Sequence, residues 1–136
     1  MELNVRPSGE ACGAEVTGID LTKELSDTEV ASIRKAWLSY HVLSFPNQPM
    51  SENDLERITL CFGSFGDDPF LGPISGRTNI VADKRTAAEK VPIFADNWHT
   101  DWSFQEKPPS GTCLFGITIP SEGGDTLFAN QHLAWI

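Results

Sequence analysis

Apolar residues along 25–41, LSDTEVASIRKAWLSYH, recur as Val30, Ile33, Trp37 and Tyr40, at steps of three and four. That period predicts a surface helix with one buried stripe. Its start is marked twice: Ser26 stands three residues before Glu29, the spacing of a capping box, and Leu25 and Val30 take the two places of a hydrophobic staple. The same grammar returns at Met50, Ser51, Asp54 and Leu55 and predicts a second helix, with Leu55, Ile58, Phe62 and Phe65 on one face and Gly63 and Gly66 to end it. Between the two, VLSF at 42–45 is a short apolar run closed by Pro46 and Asn47, which reads as a buried strand.

Beyond this point the pattern changes. Residues 66–78, GDDPFLGPISGRT, have the Gly and Pro density of a loop, NIVAD at 79–83 reads as a strand, and the polar stretch at 84–92 reads as loop or lid. From 97 onward the chain reads as short strands, WHTDWSF, GTCLFGITI at 111–119 and DTLFAN at 125–130, with turns at Pro108-Pro109 and at 120–124. Helices first and strands afterwards predict an α+β fold with an antiparallel sheet. There is no internal repeat and no low-complexity segment.

Composition narrows the classes. At 136 residues, 40% hydrophobic and 21% charged, the chain is about one domain long and can bury a core. Its net charge of −9, with no cluster of Lys and Arg, argues against nucleic acid as a partner. Cys12, Cys61 and Cys113 are odd in number and widely spaced, which suggests neither a disulfide framework nor a zinc knuckle and fits a reducing cytoplasm. The stretch MELNVRPSGEACGAEV has no signal-peptide core, and no apolar run approaches a membrane span, so no membrane partner is expected.

The chemistry concentrates in NWHTDWSF, residues 97–104. On a strand, alternation would turn His99 and Asp101 to one face and Trp98, Thr100 and Trp102 to the other. One strand could then offer an imidazole and a carboxylate to one ion, two-thirds of the 2-His-1-carboxylate triad of non-haem Fe(II) oxygenases. Spacing alone does not establish this. With three His and nine Asp in 136 residues, chance gives about 0.2 such triplets, and a hydrogen-bonded surface pair satisfies the same pattern. Several neighbours have ordinary readings. Trp98 and Trp102 suit the core side of the strand, Gly123 and Gly124 suit a turn braced by Asp125, and Cys113 suits packing among apolar neighbours. Asn97 borders the ligand strand, where it could touch substrate or start the strand.

The whole stretch NWHTDWSFQEKPPSGTCLFGITIPSEGGDTLFAN resembles the taurine dioxygenase family and its aryloxyalkanoate dioxygenase relatives: W-H-[TS]-D, a Phe, a Pro-Pro turn and strand, then P-x-x-G-G-D-T. Residues 13–48 likewise resemble that family's opening strand, first helix and following strand. The resemblance implies a double-stranded β-helix, or jelly-roll, with flanking helices. It implies an Fe(II)- and 2-oxoglutarate-dependent dioxygenase that uses O₂, releases succinate and CO₂, and hydroxylates a small, anionic organic substrate. It assigns iron to His99 and Asp101, and the 2-oxoglutarate carboxylate to the hydroxyl of Thr126, a group able to donate to an anion. Asn97 falls where substrate contacts begin.

The resemblance also sets an expectation of incompleteness. The family's second iron-binding His and its 2-oxoglutarate-binding Arg lie well beyond G-G-D-T, so residues 1–136 read as the N-terminal part of one such domain, inactive alone. His41 and His132 remain as other candidate ligands, but neither falls at a position with a metal role in the family. A β-helix lacking its later strands leaves an open edge, which favours self-association into a homo-oligomer. The segments 63–73 and 92–97 depart from the taurine-binding pattern, and substrate identity stays open. Two other classes also stay open: a non-catalytic binding or assembly module of the same ancestry, and a zinc hydrolase using His99 and Asp101, for which no third ligand or general base accompanies the pair.

Overall fold

A computed structural model describes residues 3–68, 70–86, 88–90 and 97–136. Its regular structure is concentrated before residue 61. Strand β1 (Asn4–Pro7) pairs antiparallel with β2 (Ala14–Thr17), Val5 opposite Val16. Helix α1 (Asp27–Tyr40) then carries the chain over to β3 (Leu43–Ser44), which lies parallel to β2 with Ala14 opposite Leu43. The sheet order is β1-β2-β3. It is a mixed sheet in the first half of the chain, where an antiparallel one in the second half was expected. A β-α-β crossover has the length needed to return a strand in parallel, and the helix between residues 17 and 43 supplies it.

Both helices start as the sequence predicts. At α1 the Ser26 hydroxyl accepts from the Glu29 N–H at 3.3 Å, and the Glu29 carboxylate accepts from the Ser26 N–H at 2.8 Å. At α2 (Glu52–Leu60) Ser51 and Asp54 form the same reciprocal pair at 3.3 and 2.9 Å. Two of the four N–H groups that a helix start leaves without partners are met each time. Helix α2 ends before Phe62 and Phe65. The Cys61 and Phe62 carbonyls accept from Arg34 of α1 at 3.0 and 2.8 Å, so one guanidinium closes one helix from another.

The core is built from Val16, Ile19, Leu21, Ile33 and Ile58, with Leu43, Phe45 and Phe62 packed against it. The alternation in β2 turns Ala14 and Val16 inward, and the α1 stripe adds Ile33 and Ala36. The turn over this core is held by polar groups. The side chain of Gln48 accepts from the Leu21 N–H at 2.8 Å and donates to the Ile19 carbonyl at 3.1 Å. Arg57 donates to the carbonyls of Leu21 and Lys23 and pairs with Asp54 at 2.8 Å.

The strands expected at 79–83, 98–104, 111–119 and 125–130 are irregular backbone, with a turn over 101–104. Among the described residues no backbone-to-backbone hydrogen bond joins 111–119 or 125–129 to any other segment. The apolar residues there face outward, Leu114 at 76%, Ile117 at 88% and Leu127 at 71% exposure. A strand exists only by pairing, and among the described residues no partner strand lies alongside. The short helix α3 (Gln131–Ala134) follows, capped by Asn130, whose side chain also donates to the Ala11 carbonyl at 2.7 Å. No helix among the described residues is long and apolar enough to cross a membrane.

Candidate metal centre

His99 and Asp101 come together without a strand beneath them. The imidazole Nδ1 lies 2.7 Å from the Asn97 carbonyl, and Nε2 lies 3.1 Å from Asp101 Oδ1. A carbonyl oxygen only accepts, so Nδ1 carries the hydrogen there and Nε2 is left as the reactive nitrogen. The Asn97 carbonyl, and the Asp101 carboxylate after it, raise the His99 pKa above its ordinary value. Nε2 and Oδ1 each bear a lone pair, so a proton or another cation between them is what makes their approach favourable. The spacing also suits a metal. Two neighbouring donors at right angles on an ion with bonds of about 2.0–2.2 Å stand about 3 Å apart.

Asp101 is held from its other side. Thr112 Oγ1 donates to Asp101 Oδ2 at 3.0 Å. Sequence pattern gives no warning of this contact, because it spans eleven residues of irregular backbone. Around this site, the loop meets earlier segments at four places, three within residues 66–70 and one on α1. Gln105 donates to the Asp67 carbonyl at 3.0 Å, Trp102 stacks on Phe70 with ring centroids 6.1 Å apart, Pro109 covers Gly66, and Gly111 lies against the indole of Trp37.

Thr126 is exposed and makes no hydrogen bond to His99 or Asp101. Asn97 adjoins His99 through its backbone, and the rest of the segment 92–97 lies outside the described residues. His41 and His132 stack on each other, centroids 5.1 Å apart and planes at 23°. Among the described residues no group of three His, Cys, Asp or Glu could hold a metal ion, so the centre offers two protein ligands here. Trp98 is 70% exposed and Cys113 is also exposed, where core positions were expected. Without a strand there is no inner face to receive them.

A model of the taurine catabolism dioxygenase TauD, TfdA family matches residues 4–136. The chain belongs to that family. This family member is 33% identical over 136 residues to an alkylsulfatase of Acinetobacter baylyi, an alignment that takes in 98% of this chain and 41% of that protein. It is 27% identical over 136 residues to an alpha-ketoglutarate-dependent sulfate ester dioxygenase of Pseudomonas putida, covering 99% of this chain and 44% of that one. Among solved structures, a taurine dioxygenase from Burkholderia xenovorans matches 54% of this TauD/TfdA chain and 27% of its own, with a TM-score of 0.50 and 33% identity. The chain therefore spans less than half the length of either curated relative.

Proposed function

We propose that this chain belongs to an Fe(II)- and 2-oxoglutarate-dependent dioxygenase that hydroxylates a small anionic organic molecule and releases succinate and CO₂. The observation that carries this reading is the convergence of His99 Nε2 and Asp101 Oδ1 at 3.1 Å, with Nδ1 committed to the Asn97 carbonyl. A nitrogen and a carboxylate oxygen so placed would make two members of a facial triad, and membership of a dioxygenase family supports Fe(II) as the ion. Iron, once bound, would supply the oxidising chemistry with O₂; the protein's part is to hold, orient and shield. Thr126 would donate its hydroxyl to a 2-oxoglutarate carboxylate, and Asn97 would contact substrate. The relatives named for sulfate esters and for phenoxyalkanoates, and the solved structure named for taurine, share a small organic anion, which supports that class of substrate.

Residues 1–136 are, in this reading, the N-terminal part of one double-stranded β-helix domain, whose later strands supply the third ligand and an arginine for 2-oxoglutarate. The outward Leu114, Ile117 and Leu127 support it, since they are the side chains that such strands would cover. The test joins this chain to the remaining length of a relative and measures succinate released from 2-oxoglutarate with alkyl sulfates and sulfonates. Turnover is expected from the joined protein and little or none from residues 1–136 alone. His99→Ala and Asp101→Ala should each abolish it, and His132→Ala should leave it nearly unchanged. Activity that survives Asp101→Ala and is lost in His132→Ala would overturn the ligand assignment.

A further inference from the structure

We propose that Thr112 is a positioning residue for Asp101, fixing one carboxylate oxygen so that the other faces His99 across the space a metal would fill. This rests on the assignment of His99 and Asp101 as ligands. An aspartate carboxyl turns freely about its last torsion, whose preference is broad and two-fold. On a side chain that is 54% exposed, packing does little to choose the angle. The hydrogen bond from Thr112 Oγ1 to Oδ2 at 3.0 Å chooses it, and Oδ1 is thereby turned toward Nε2 at 3.1 Å. It also occupies Oδ2, which directs Asp101 to bind through one oxygen and leaves room on the ion for other ligands. Orienting partners of this kind act on metal sites through the ligand they hold.

Thr112 is itself placed by the folded half rather than by the H-T-D segment. Its neighbour Gly111 lies so close to Trp37 of α1 that a Cβ there would stand 2.8 Å from the indole Cζ2. Trp37 cannot easily yield, since the edge of the Phe62 ring meets it at 5.4 Å and 85°. The packing of α1 is thus carried through Gly111 and Thr112 to the orientation of a ligand.

The experiment titrates the chain joined to the remaining length of a relative with Mn(II), following loss of the free-ion paramagnetic resonance signal, and repeats it for Thr112→Val, Thr112→Ser, His99→Ala and Asp101→Ala. Thr112→Val keeps the shape and removes the donor, so binding should weaken by about tenfold with no change in thermal midpoint, and Thr112→Ser should restore it. His99→Ala and Asp101→Ala should fall to the background of the chain. Equal binding by Thr112→Val and the joined protein without substitution, with the two ligand variants inactive, would overturn the role of Thr112 and leave the metal site standing. Equal weakening in Val and Ser would also overturn it, because the hydroxyl would not be the operative group. Uptake unchanged in Asp101→Ala, or undetectable in the joined protein without substitution, would remove the metal reading and Thr112 with it.

Discussion

At residue scale, Trp102 shows how the ligand loop is kept in shape. Its φ of 55° is left-handed, a conformation that a bulky side chain adopts only when its surroundings hold it there. Phe70 stacks on it at 6.1 Å and Phe104 tilts against it at 5.9 Å, so two aromatic rings grip the residue directly after Asp101. Gly111 is the matching constraint on the Thr112 side. Gly111→Ala would drive a methyl group into Trp37, and overpacking of this kind typically costs about 1–3 kcal/mol. The expected outcome is a lower urea midpoint together with a blue or red shift in tryptophan emission as the indole is displaced. An unchanged midpoint and spectrum would show that the 109–112 segment does not rest on α1 in solution.

At the scale of elements, the two capping boxes make the helix starts sensitive to acid. Asp54 of the α2 box is held down to about 2, first by the Ser51 hydroxyl, then by Arg57 and the Ser51 N–H; Glu29 of the α1 box is lowered, first by the Ser26 N–H and then by the Ser26 hydroxyl. A carboxyl whose pKa is lower folded than unfolded binds its proton more readily in the unfolded chain. Its stabilisation is therefore complete above the ordinary value of about 3.9 and is lost as pH falls through the folded value. Between pH 4 and pH 2 the chain should lose stability, and Asp54→Asn should show a smaller loss over that window than the unaltered chain, measured by denaturant midpoint. Equal slopes would mean that the box does not hold in solution. The helices were legible because a cap and a 3.6-residue period are local and repeat. The strand read at 42–45 is present as β3, but β1 was missed because four residues carry almost no period, and the parallel register of β3 depends on a partner some thirty residues away. Likewise His99 and Asp101 were legible as a motif, whereas Thr112 reaches Asp101 only through the docking of Gly111 on Trp37.

At the scale of the whole molecule, the chain divides by the supply of partners. Before residue 63 each apolar stripe finds a face: β2 meets α1, and Ile58 of α2 closes over Leu21 and Ile33. From 111 onward apolar side chains, 76% exposed at Leu114 and 74% at Ile119, line segments with strand-forming sequence and, among the described residues, no backbone neighbour to pair with. A backbone in that condition keeps its N–H groups in water, so its amide hydrogens should exchange at close to unfolded rates, while a packed helix opens only at the cost of its buried contacts. Hydrogen exchange followed by mass spectrometry on residues 1–136 should accordingly show protection in α1, α2 and β2, and none in 111–119 or 125–129. In the protein completed with a relative's remaining length, both segments should become protected if later strands pair with them, and Thr126 would then be drawn into the same sheet as Asp101. Protection of 111–119 in the short chain at high dilution would instead show that it has found a partner within itself. Protection that appears only as concentration rises would show self-association through the open edges. If the completed protein left both segments unprotected, the β-helix assignment would fail, and the convergence of His99 and Asp101 would have to be explained by the loop alone.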